Sequence, residues 1–228
     1  MFHVDAKSKT VDSQSELKEA LDDSSIDTII LGSDINTTEK INIMRPVTID
    51  GNHKTMKYVG TFGKNDSYDN TVWGGIYVLQ VYKTEVVIKN ITLTGGNGGL
   101  LVNGGKVKLV GKIDVSGNGF GGIELGQGAG VQSNAHLEIG SDTVLVNKTE
   151  SEDKPTIWVP KDSTDAILEV NGIKQVFTSD IHLLLNEIEA IGNKVENPNT
   201  KDSIVLYFGV LLFGLVLLGY STKKKVLN

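Results

Sequence analysis

Along most of the chain the apolar residues come in short alternating runs. TIIL at 28–31, VTID at 47–50 and YVLQV at 77–81 are typical, each bounded by Gly, Asn or Asp. Alternation between turn residues predicts half-buried strands. Later runs recur in register. EVVIKNITL at 85–93 is followed by GLLV at 99–102, and KVKLVGKIDV at 106–115 by GIEL at 122–125. A third copy runs from HLEI at 136–139 through VLV at 144–146 to TIWV at 156–159, and AILEV at 166–170 opens a fourth. Corresponding positions lie about 21 to 30 residues apart, the spacing of a solenoid coil. Three strands per coil let Val107, Leu109, Ile113 and Val115 share a core, with Gly and Asn at the corners. One coil cannot bury its inner face alone; stacked neighbours do so, strand on parallel strand. An antiparallel β-sandwich also has many short strands, and the Asn-Gly and Gly-Asn steps at 96–98 and 117–118 suit its hairpins. The three-strand recurrence favours an all-β, right-handed parallel β-helix over residues 1–178.

Two helical stretches frame it. Ser13-Gln14-Ser15-Glu16 is a capping box, with Leu17, Ala20 and Leu21 on one face, predicting a helix over 13–22 that caps the first coil. After Phe177, Thr178 or Ser179 precedes Ile181, Leu184, Leu185, Ile188 and Ile191 at helical spacing. That predicts a second capping helix over 179–191, with 192–203 as a polar tether.

Residues 204–220, IVLYFGVLLFGLVLLGY, are uncharged and apolar, with twelve Ile, Leu, Val or Phe. At about 1.5 Å per residue the run is about 25 Å long, close to a bilayer core of about 30 Å. It is expected to be a transmembrane helix. Lys223, Lys224 and Lys225 predict a cytoplasmic tail over 221–228 and an external position for what precedes the span. Just before it stand Asn197, Pro198, Asn199, Thr200 and Lys201. Motif, span and lysines in this order resemble the cell-wall sorting signal of Gram-positive surface proteins, with Asn for the usual Leu and Lys for the usual Gly. The resemblance implies that Thr200 supplies the carbonyl attacked by a sortase cysteine and that Lys201 begins the released fragment. Sortase and peptidoglycan are the partners it implies, with the membrane a transient one.

Composition narrows the classes further. The absence of cysteine excludes disulfides and thiolate metal sites. A net charge of −6 and a single arginine, Arg45, argue against nucleic-acid binding. The N-terminal MFHVDAKSKT has no apolar signal-peptide core, so display outside the cell requires an export signal that this stretch does not contain.

SELKEALDDSSIDTIILGSDI at 15–35 and INIMRPVTIDGNHKTM at 41–56 resemble the opening of the pectate-lyase-like β-helix domain of bacterial surface proteins. The resemblance covers roughly residues 10–177 and implies an adhesive domain of the kind that ends in wall-sorting signals.

Lyases on such a fold abstract a proton with Arg or Lys beside Asp-bound calcium. Arg45 precedes Pro46 in a turn and is expected to be structural; Asp50 is expected to bond local backbone N–H groups. Asp66, Asp69 and Asn70, in the long break 60–75, lack the spacing of a calcium loop. Glu124 and Glu138 are the carboxylate pair to test against glycosidase geometry, and alternation places both on the solvent face. His3, His53, His136 and His182 lie in separate segments without ligand spacing, so no metal site and no cofactor are expected. GGNGG at 95–99 and GQGAG at 126–130 are turn material, since no helix pattern follows either. Trp73, Tyr77 and Tyr82, with Tyr58, Phe62 and Tyr68 nearby, form either a ligand patch or packing between the second and third coils. The sequence thus leads to a non-enzymatic surface adhesin, with no catalytic residue, presenting a face to a host, matrix or polysaccharide ligand. The competing readings are a polysaccharide-processing enzyme, a membrane-tailed protein that sortase does not cleave, and a spacer without a ligand.

Overall fold

The computed structural model describes residues 6–61, 75–126, 134–160, 163, 165–178 and 180–193. These belong to the first of two compact units, Met1–Lys194; the second is Val195–Asn228. The sorting motif Asn197–Lys201, the apolar run 204–220 and the basic tail lie outside the described residues. So do Trp73, Asp66, Asp69, Asn70 and most of the second glycine-rich stretch. Among the described residues no helix is long and apolar enough to cross a membrane.

The chain forms β1 (Ser8–Val11), α1 (Gln14–Asp22), β2 (Thr28–Leu31), β3 (Ile35–Thr37), β4 (Ile41–Ile43) and β5 (Val47–Tyr58). Then come β6 (Tyr77–Tyr82), β7 (Glu85–Thr94), β8 (Gly98–Asn103), β9 (Lys106–Asp114), β10 (Gly121–Gly126) and β11 (His136–Val146). The last elements are β12 (Ile157–Val159), β13 (Ala166–Val170), β14 (Ile173–Phe177), β15 (Ile181–Leu183) and α2 (Leu185–Gly192). Two sheets stack coil on coil. The first runs β1-β2-β5-β7-β9-β11-β13-β14, with β3 also on β5, and the second runs β15-β12-β10-β8-β6-β4. All pairings are parallel except the last in each sheet. This is the stacked parallel solenoid that the recurrence predicts.

The register shows what holds it. Ile29, Ile49, Ile88, Leu109, Ile139 and Val170 form one inward column. Ile41, Leu79, Leu100, Ile123 and Ile157 form another in the second sheet. Every member of both is at most 5% exposed. Each fully buried aliphatic side chain contributes roughly 1.5–3 kcal/mol, so the columns are the main source of stability.

Three short strands per coil become two in the structure, because the first two are continuous. β5, β7, β9 and β11 each bend at a register shift and serve two faces. At the bends Asn90 has φ 46° and Gly111 φ 69°, and the Asn90 side-chain oxygen accepts from Lys112 N at 3.3 Å. A Cβ at Gly111 would collide with that oxygen, so the corner stack needs glycine there.

Each end carries elements that break the repeat. Ser13 Oγ accepts from Glu16 N, and Leu17 and Ala20 are buried, which places α1 over the first coil. At the other end Asn171 and Gly172, at φ 51° and 82°, turn β13 back into antiparallel β14, a hairpin where the fourth coil would have continued. The helix predicted over 179–191 is shorter. Ile181–Leu183 is a strand on the edge of β12, and only Leu185–Gly192 is helical. The apolar run suits either periodicity, and the open edge of β12 selects the strand.

Candidate functional site

The outer face of the second sheet carries the densest chemistry. One outward column runs Asn42, Gln80, Leu101, Glu124, Trp158 and His182. Lys40 Nζ donates to Gln80 Oε1 at 3.2 Å, and Gln80 Nε2 donates to Asn42 Oδ1 at 3.0 Å. Gly98 leaves room for Tyr77, whose ring would lie 2.7 Å from a Cβ there. The Tyr77 hydroxyl donates to Glu124 Oε2. A row of edge-to-face rings continues outward. Tyr77 to Phe120 is 5.6 Å, Phe120 to Trp158 5.5 Å, and Trp158 to His182 6.1 Å between centroids. Trp158 Nε1 donates to Asp180 Oδ1 at 2.8 Å.

Glu124 is only 4% exposed. Burial pushes its carboxyl up to about 8, with Lys40 pulling the other way. At neutral pH the group is held mainly in its protonated form, able to donate a hydrogen bond. In the next column Asn103 is buried, and its Oδ1 finds no hydrogen-bond partner among the described residues. Tyr82, half-buried, has Lys83 Nζ 5.3 Å from its ring.

The outer face of the first sheet is different. Lys108 and Lys106 pair with Glu138 at 2.7 and 3.3 Å, and Glu169 meets His136 at 3.1 Å and Lys174 at 3.6 Å. The hydrogen bond from Lys108 holds the Glu138 carboxyl below the usual carboxylate range. A shallow depression of about 380 Å³ beside these charges is lined by Asp27, Thr48, Glu85, Lys106 and Lys108.

The residues singled out in the sequence therefore scatter. Glu124 and Glu138 lie in different sheets and do not flank a common bond, and Glu124 is buried where alternation predicts exposure. Arg45 closes the C-terminal end of α1. Its guanidinium donates to the Ala20, Leu21 and Ile26 carbonyls at 2.8, 2.7 and 2.8 Å, and to Pro46 O at 3.0 Å. Asp50 accepts from Asn52 N at 2.9 Å. His53, His136 and His182 sit on three different strands, and His3 is outside the described residues. Among the described residues no cluster of three or more His, Asp or Glu is placed to hold a metal ion. GGNGG at 95–99 leads into β8, with Asn97 buried and its Oδ1 accepting from Ile76 N at 2.7 Å. Of the aromatic trio, Tyr77 is buried beneath Phe120 and Tyr82 borders solvent, while Trp73 lies outside the described residues. Phe120, Trp158 and His182, which complete the aromatic row, were not legible as neighbours. Their only sequence signal is the strand register, which uneven coil lengths conceal.

A family model described as "Putative pectate lyase-like adhesive domain" matches residues 8–120. No curated protein and no solved structure matches the chain. The match spans α1, the Arg45 turn and the coils through Phe120, so that it contains both the capped start of the solenoid and half of the aromatic row. Residues 8–120 of this chain thus belong to the pectate lyase-like adhesive domain family.

Proposed function

We propose that the chain is a non-catalytic adhesive module of the cell surface, tied to the wall of a Gram-positive-type bacterium. The observation that carries this reading is the adhesive-domain match over residues 8–120, which falls on the solenoid itself. Two features of the site support the non-catalytic part. Arg45, the sole arginine, has its guanidinium bound to backbone carbonyls, and the two candidate carboxylates stand on separate sheets. The coils are taken to wind right-handed, as about 98% of parallel crossovers do. The contact face of this reading is the end of the second sheet formed by β12 and β15, where Trp158 and His182 border solvent at the end of the aromatic row.

Anchoring is assigned to the C-terminal segment. Residues 204–220 hold the chain in the membrane, sortase cleaves after Thr200, and the threonine is transferred to peptidoglycan. Mass spectrometry of protein released from purified walls tests this. A C-terminus at Thr200 joined to a peptidoglycan fragment is expected; an intact tail through Asn228 refutes it. Incubation with uronate polymers, with and without calcium, is expected to yield no unsaturated product, and robust product formation overturns the non-catalytic reading.

A further inference from the structure

The second half of β11 has an edge that no strand covers among the described residues. Over 143–146 it pairs with β9, whereas β13 pairs only with the first half, from His136 to Ile139. In a parallel ladder alternate residues direct both N–H and C=O to the same neighbour. Val146 C=O accepts from Val115 N at 2.9 Å, so Val144 and Val146 face β9. Thr143 and Leu145 therefore direct their backbone groups to the opposite side, which no strand covers among the described residues.

On that side lies a groove of about 360 Å³, with β11 as one wall and α2 as the other. Val144, Leu145, Val170, Leu185 and Ile188 supply its aliphatic lining, Ser141, Thr143, Asn171 and Asn193 its polar lining, and Glu189 is the one ionisable residue among them. Val144 is 60% exposed. The walls match in length. Four strand residues at about 3.3 Å and eight helical residues at about 1.5 Å both give about 12–13 Å.

We infer that this groove takes an extended peptide from a partner protein, which adds to β11 as a strand and sets a basic side chain against Glu189. The open backbone groups select a strand, since a helix has its own N–H and C=O groups already paired. The mixed lining selects alternation, with Val or Ile against the aliphatic residues and polar side chains between them. Glu189, exposed and without an ion pair among the described residues, supplies the charge complementarity. This site uses none of the residues of the aromatic row, so either proposal can fail without the other.

Amide hydrogen exchange read by NMR on the intact chain tests it. The probe is the blocked hexapeptide Lys-Val-Thr-Val-Lys-Val at millimolar concentration, with Glu-Val-Thr-Val-Glu-Val as the charge-reversed control. The basic peptide is expected to slow exchange at Thr143 and Leu145 at least tenfold and to leave Val144 and Val146 unchanged, since these are already bonded to β9. Glu189→Lys, on an exposed helical position, is expected to weaken the basic peptide at least tenfold and to transfer the preference to the acidic one. Three results overturn the inference: Thr143 and Leu145 amides as protected as Val146 without peptide, no added protection with either peptide, or a preference unmoved by Glu189→Lys.

Discussion

Glu138 and Glu124 are both outward-facing strand residues of the same solenoid, and their environments are opposite. Glu138, on the first sheet, sits among Lys106 and Lys108 and is held ionised below its usual range. Glu124, on the second, is buried against the Tyr77 hydroxyl, with its carboxyl pushed up to about 8. The inner columns under the two are equivalent aliphatic stacks. What differs is the outside. The first sheet's outer face is solvated and balanced by ion pairs, whereas every residue of β8 and β10 is buried on both faces. Alternation fixes which way a side chain points; it does not fix whether water is there.

Truncation probes this most strongly. Leu101 points outward from the second sheet yet is 2% exposed, and Leu101→Ala is expected to destabilise by roughly 2–5 kcal/mol. Val87 holds the matching outward position on the first sheet, half-buried, and Val87→Ala is expected to cost about 1 kcal/mol or less. Equal losses in denaturant titrations would erase the distinction between the faces.

Glu124 gives the next largest effect, as a pH dependence. Its folded value lies above its ordinary 4.5, so the folded chain holds an extra proton between there and about 8. Stability from this group is full below pH 4.5, falls as pH rises through about 8, and then levels off, with a limiting slope of about 1.4 kcal/mol per pH unit. Glu124→Gln is expected to flatten that part of the profile while leaving the acid side unchanged. A variant that tracks the parent from pH 5 to 9 would show Glu124 to be ionised throughout. Tyr77→Phe keeps the ring contact with Phe120 and removes only the hydroxyl, leaving a buried Glu124 oxygen without its donor. The expected cost is roughly 1–3 kcal/mol by equilibrium unfolding at pH 6, and a neutral result would mean that the hydroxyl is dispensable.

The solenoid was legible because its core repeats at every coil: Val107, Leu109, Ile113 and Val115 alternate inward, and Asn90 and Gly111 supply the positive φ that the corners require. The capping box at Ser13 is a local signal and gave α1 directly. The site was less legible for a reason of register. Phe120, Trp158 and His182 meet only because β10, β12 and β15 are neighbours, and the uneven spacing of their coils hides that in the sequence. GIEL around Glu124 and HLEI around Glu138 look alike as strings, since nothing local records what covers a strand from outside. The run 181–191 was ambiguous for the opposite reason: its apolar spacing fits a helix throughout, and a sheet edge elsewhere in the chain decides its first three residues.

The smallest expected effect completes the contrast, and its sign matters more than its size. Glu138→Gln removes one carboxylate from a solvated pair, and such pairs contribute below about 1 kcal/mol after screening. The loss is expected to shrink further in 1 M salt, where the screening length is about 3 Å. Because Lys108 and Lys106 hold the Glu138 carboxyl below 4.5, its contribution is present above that pH and disappears as pH falls through the lower folded value. Glu124 contributes in the reverse direction. The double variant is therefore expected to lose the slope of both limbs, the acid one from Glu138 and the neutral-to-alkaline one from Glu124, in a titration followed by circular dichroism. If Glu138→Gln instead flattened the alkaline limb, the two faces would be electrostatically coupled through the core, and their separation into a wet and a dry side would not hold.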